Sequence, residues 1–268
     1  MFGRSAGRIN QTKCGDGMKD YLVEANIGCT IFFCIIFYII PRVIKYLAPS
    51  FYNGLDKDKQ EQLPSWAGGM FHHIVVAPYG LYMIYRDYIT PPEVYNEMDY
   101  AVSFHGLYLV TYAFGYIMGD TIFFTIPELM KGRYEYAIHH IASIALYRGL
   151  LMSGGPVIRY LPHFFICEFS NMIFNSCWFI RNGGGKNSAI LGVLEKAFAV
   201  VFFILRIVNL PCAVFAMLSL PGVEELGIYR FVLIPILFLQ FMWLFMIIKA
   251  LKKKMNAPAD KTSADKVK

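Results

Sequence analysis

With 268 residues, 56% of them hydrophobic and only 16% charged, the chain lacks the charge to coat a soluble surface, which takes about a quarter of all residues. Much of its net charge of +6 sits at the ends of apolar segments and in the C-terminal tail, where it orients a membrane protein, so nucleic acid is excluded as a partner. The apolar runs are continuous and near spanning length; an all-α, multi-pass transmembrane bundle is predicted and a β-barrel is not.

Residues 1–24 form a polar arm with Arg4, Arg8, Lys13 and Lys19 and no acid before Asp16. That composition is presequence-like but has no apolar stripe. Asn10-Gln11-Thr12 matches a glycosylation triplet should this end be lumenal. Seven apolar segments follow, near 25–47, 66–85, 101–126, 136–152, 158–180, 190–220 and 228–251. Residues 25–251 read as one membrane domain and 252–268 as a basic, disordered tail.

The connections test this count. With the N-terminus outside, the inside loops hold Arg42, Lys45, Lys57 and Lys59, then Lys131 and Arg133, then Arg181 and Lys186. The tail opens on Lys249, Lys252, Lys253 and Lys254. The outside loops hold Arg86 against Asp87, Glu93, Glu97 and Asp99, then Arg159, then Glu224 and Glu225 with Arg230. Every loop obeys the positive-inside rule; the basic arm alone does not. Pro41, Pro78, Pro211 and Pro235 are expected to kink their helices. Five of the six cysteines lie in apolar segments without CxxC spacing and read as small hydrophobes.

Polar groups inside these segments stand out: His72, His73, His105, Asp120, His139, His140, Glu168, Ser170, Asn175 and Arg206. A carboxylate at membrane depth needs a cation, a donor or a proton, and the histidines and Arg206 are the available partners. Adjacent helical residues diverge by about 100°, so His139 and His140 cannot both point at one spot, nor can His72 and His73. A hydrogen-bonded packing network is one reading; a lipid-headgroup or acyl-thioester site with a histidine base is the other. No HxxxH or HxxHH cluster points to iron. His72, His140 and His163 can be imagined around zinc, but no spacing demands it, and neither a metal nor a cofactor is expected.

Asp120, His139-His140, Glu168-Phe169-Ser170, Asn175, Trp178-Phe179 and Arg206 with Pro211, in this order, resemble the TLC-domain family. Ceramide synthases and translocating-chain-associated proteins share that domain. The resemblance covers about 66–253, opens on the FHHIVVAPYGLYMIY stretch, and is closest to the small members that are not ceramide synthases. It implies six helices in a ring around a central cavity, residence in the endoplasmic reticulum or related membranes, and a role in lipid synthesis, trafficking or sensing. It also implies a cavity lined by His72, Asp120, His140, Glu168, Ser170, Asn175 and Arg206.

In ceramide synthases the histidine pair and two acids support acyl transfer from acyl-CoA to a sphingoid base. Here Glu168 takes the first acidic position, Asn171 the second, and Cys167 replaces a histidine. The expectation is therefore a lipid-handling membrane protein without acyltransferase activity, partnered by membrane lipids and by itself or other subunits. The alternatives are an N-acyltransferase using acyl-CoA, with His139 or His140 as base, and an accessory subunit of a larger complex, in the mitochondrial inner membrane. A seven-span receptor fits the topology but lacks receptor motifs.

Overall fold

A computed structural model describes residues 16–89, 104–153, 160–219 and 223–256. The arm up to Asn10 and Cys14, the acidic loop at 90–103, Arg159, the side chain of His105 and the tail beyond residue 256 fall outside the described residues. The helices are α1 (Asp16–Leu47), α2 (Pro49–Gly54), α3 (Lys57–Ile89), α4 (Phe104–Asp120), α5 (Ile126–Met130), α6 (Glu135–Ser153), α7 (Leu161–Phe165), α8 (Glu168–Asn182), α9 (Ala189–Phe202), α10 (Leu210–Leu218) and α11 (Leu233–Met255). Short π-helical turns, Thr121–Thr125 and Phe203–Asn209, join α4 to α5 and α9 to α10. A 3₁₀ stretch, Val223–Val232, broken at Gly227, leads into α11.

The described residues thus form seven helical columns, matching the seven predicted segments: α1; α3; α4–α5; α6; α7–α8; α9–α10; and the 3₁₀ stretch with α11. Four of them are long and apolar enough by themselves to cross a membrane: Val23–Leu47, Leu109–Met130, Ala189–Leu218 and Leu226–Lys253. The seventh column stays helical through Lys252 to Met255, so the helix runs past the predicted end of the membrane domain.

Contacts close columns two to seven into a ring. The second column packs on the third, the third on the fourth, the fourth on the seventh, the seventh on the sixth, the sixth on the fifth, and the fifth on the second. The first column lies outside, against the second and third. Two glycines explain how closely it seats. A Cβ at Gly115 would lie 2.6 Å from the Cys29 carbonyl carbon, and one at Gly119 would lie 3.0 Å from Phe33 Cβ. This GxxxG spacing lets two helix backbones approach where lipid offers no hydrophobic drive to hold them together.

On the basic side, α3 and the turn after α5 are tied by charge. Lys131 Nζ lies 3.1 Å from Asp58 Oδ1, 3.0 Å from Glu61 Oε2 and 3.1 Å from Glu128 Oε1. Arg133 also pairs with Glu128, which is only 2% exposed. The tie joins the first and third connections, both assigned inside by their charge. The Lys131 hydrogen bond holds the Asp58 carboxyl below its usual range, and the hydrogen bonds that Lys131 donates to Glu61, Asp58 and Glu128 push it above its own. Asp58 therefore contributes fully above the ordinary carboxylate range and is lost as pH falls through its lowered value. Lys131 contributes below the ordinary ammonium range and is lost as pH rises through its raised one. We expect Lys131→Ala to cost less than about 1 kcal/mol per exposed pair, with a deficit flat from about pH 5 to 9 and shrinking below about pH 4. Thermal midpoints of both proteins in nanodiscs across pH check this.

Much of the ring's interior is an apolar core that includes Val110, Leu146, Phe165, Val214, Leu233 and Ile236. Buried polar side chains, among them His72, Asp120, His140, Arg206 and Gln240, are set into it.

Candidate functional site

The two π turns place much of the site. Each runs up to a proline two residues on, Pro127 or Pro211, which donates no N–H to the turn before it and crowds its carbonyl. The wider turn takes up that mismatch; such turns recur at functional sites. Around Pro211 the expected distortion is present as this π turn; Pro41 and Pro78 lie inside α1 and α3, and Pro235 lies in the first turn of α11. The first turn presents Thr121 and Thr125 to α6; the second turns Arg206 inward, where it is 5% exposed.

The predicted site residues separate into two clusters. In the first, His140 Nε2 lies 3.2 Å from Asp120 Oδ2, and Ser65 Oγ donates to Asp120 Oδ1 at 2.6 Å. The other ring nitrogen, Nδ1, faces Thr121 Oγ1 at 2.9 Å and Thr125 Oγ1 at 3.2 Å. Thr121 spends its proton on the Ile117 carbonyl at 2.6 Å, so at His140 it can only accept, whereas Thr125 can donate.

In the second cluster, Glu168 Oε2 accepts from Asn171 Nδ2 at 2.6 Å and lies 2.8 Å from His73 Nδ1, a close but poorly aligned approach. Arg206 Nε donates to Ser170 Oγ at 2.8 Å, Nη1 to Gln240 Oε1 at 3.0 Å, and Nη2 to the Cys167 carbonyl at 3.3 Å. Arg206 Nη2 stands 3.9 Å from Glu168 Oε1, outside hydrogen-bond range. Gly69 sits against this cluster. A Cβ there would lie 3.2 Å from Asn175 Nδ2 and from Tyr116 Oη and 3.3 Å from His73 Nε2, so polar atoms take the space of a side chain.

Other predicted residues do different work. His72 stacks on Tyr116, ring centroids 3.9 Å apart, and its Nδ1 has no hydrogen-bond partner. Its neighbour His73 is the one that meets an acid. Asn175 donates to the Trp66 carbonyl at 3.0 Å and ties α8 to α3. His139 turns to the edge of Trp243, ring centroids 5.5 Å apart, so the histidine pair diverges as its spacing requires. His163 meets Asn209 at 2.8 Å, away from His72 and His140. Among the described residues no group of three His, Cys, Asp or Glu side chains could hold a metal ion. The Cys167 thiol is spent on the carbonyls of His163 and Leu205.

Ser65, Thr121, Thr125 and Gln240 join the site without having been singled out from sequence. Gln240 could have been: an amide in the run LIPILFLQFMWLF carries the same signal as Arg206. The threonines follow Asp120 at adjacent turns, which is a weaker one.

Between the fifth and sixth columns lies an open apolar groove of about 270 Å³, lined by Phe169, Met172, Ile173, Val201, Ile204 and Leu205, with Ile204 52% exposed; none of the residues expected to line a cavity lines it. Phe169 follows Glu168 in the chain, and Leu205 precedes Arg206. A family model described as the TLC domain matches residues 62–252, within a few residues of the stretch delimited from the sequence. No curated protein matches the chain significantly.

Proposed function

The chain belongs to the TLC-domain family, and on that footing we propose that it binds a lipid or fatty-acyl chain within the membrane, for sensing or homeostasis, and does not transfer acyl groups. It is an integral membrane protein of lipid-related function; residence in the endoplasmic reticulum or a related endomembrane is part of the proposal. The observation that carries the reading is the groove. Its six side chains offer nothing to a polar ligand and suit a hydrocarbon chain. Its ends in sequence adjoin Glu168 and Arg206, the groups that could grip a head.

Against acyl transfer stands Asn171. Where the resemblance places a second acid, this amide hydrogen-bonds the first one. His140 is likewise occupied, by Asp120 and two threonines. One observation favours the second reading, an acyl-CoA-dependent N-acyltransferase: His139 Nδ1 is buried without a hydrogen-bond partner, which leaves an imidazole free to act as base. Purified protein supplied with acyl-CoA and sphingoid bases separates the two. We expect no product above a no-enzyme control. Product that disappears in His139→Ala would replace the first reading with the second.

A further inference from the structure

We propose that the gap between Glu168 and Arg206 is the headgroup site of an uncharged lipid bearing a hydroxyl, its hydrocarbon chain lying in the groove between the fifth and sixth columns. The inference rests on the lipid-handling reading and adds the chemical class of the lipid. A guanidinium has five N–H donors, one on Nε and two on each Nη. Arg206 spends three, on Ser170, Gln240 and the Cys167 carbonyl, which leaves one on Nη1 and one on Nη2. Glu168 engages Asn171 and His73 through Oε2 alone. Among the described residues, Oε1 meets only Arg206 Nη2, at 3.9 Å.

That separation is too long for a direct hydrogen bond and right for a single oxygen about 2.8 Å from each. The group that closes it must accept from Nη2–H and donate to Oε1. A hydroxyl does both. A carboxylate or phosphate would put a second anion against Glu168, and an ammonium has no lone pair for Arg206. The Glu168 side chain keeps 23% of its surface, whereas Arg206 keeps 6%, so the acid is the more accessible of the two. Phe169 and Leu205, the chain neighbours of Glu168 and Arg206, line the groove, so the polar pair and the apolar groove share the same turns of the fifth and sixth columns. Packing on lipid-like side chains distinguishes one hydrocarbon chain from another only weakly, which leaves selection to the polar end.

The test is native mass spectrometry of the full chain in micelles, titrated with 1,2-dioleoylglycerol, its 3-methyl ether, oleic acid and oleylamine. The ether keeps the acceptor and both chains but loses the donor. We expect one dioleoylglycerol per chain and binding of the ether, oleic acid and oleylamine weaker by about tenfold or more, the worth of one hydrogen bond to a charged group. Ile204→Trp fills the groove without touching the polar pair, so it should abolish dioleoylglycerol binding at an unchanged thermal midpoint. The ether binding as tightly as the alcohol would overturn the assignment. So would either charged amphiphile matching it, and both results leave lipid handling intact. A chain that retains none of the four, with water alone in the gap, removes the headgroup site and the lipid-handling reading together.

Discussion

Arg206→Leu is expected to cost about 3–5 kcal/mol, the usual consequence of removing one partner from a buried charged set. The guanidinium donates to three acceptors on two other columns: Ser170 and the Cys167 carbonyl on the fifth, and Gln240 on the seventh. Without it, the fifth, sixth and seventh columns lose their common tie, and Glu168 loses its nearest arginine while it stays in the ring. Two companions sharpen the prediction. Arg206→Lys restores a charge but, as a point donor, cannot reach acceptors spread about the guanidinium fork, so it should recover only part of the loss. Adding Glu168→Gln to Arg206→Leu removes the stranded charge and should recover a further part. Unfolding midpoints of the four proteins in SDS titrations give the comparison. A single variant no worse than Lys131→Ala would mean that the cluster does not hold the ring.

The second large effect is steric. Gly115→Leu puts a side chain where the Cys29 backbone already stands, and even alanine brings its Cβ within 2.6 Å of it. No flexible side chain can swing clear, so the first column must move off the third. We expect about 1–3 kcal/mol for Gly115→Ala and more for Gly115→Leu. Gly28 lies one residue from Cys29 on the same helix, and a Cβ there meets nothing within 4 Å. Gly28→Ala should therefore be neutral or slightly stabilising, through its helix propensity alone. Equal effects at Gly28 and Gly115 would contradict the packing described for the first column.

Much of this architecture was legible in the sequence because the membrane imposes simple rules. Continuous apolar runs announce spans, and loop charge orients them. The pairs that Lys131 makes to Asp58 and Glu61 bring the first and third connections to one end of the bundle, as an alternating count of spans requires. The rule that buried polar groups need partners also singled out Asp120, His140, Glu168 and Arg206. It could not say who pairs with whom. Asp120 and Arg206 were read as partners for one site, yet Asp120 belongs with Ser65 and His140, and Arg206 with Ser170, Glu168 and Gln240. Those partners lie 34 or more residues apart in several cases, and helical periodicity carries no information across such distances.

Choosing between His72 and His73 failed for a related reason. Spacing shows that the two diverge, but only the position of α8 decides which one meets Glu168. The π turns were hidden as well. Pro211 marked a disturbance in its helix, but a kink and a widened turn are the same sequence signal. The widened turn is what brings Arg206 into the ring beside Gln240.

A density map of the protein in a native-lipid nanodisc, at a resolution that shows acyl chains, tests the lipid-binding account most directly. The account predicts elongated density along Phe169, Met172 and Ile204, ending in a head between Glu168 Oε1 and Arg206 Nη2. A seam between the fifth and sixth columns closed by its own side chains, with no density beyond them, would contradict it.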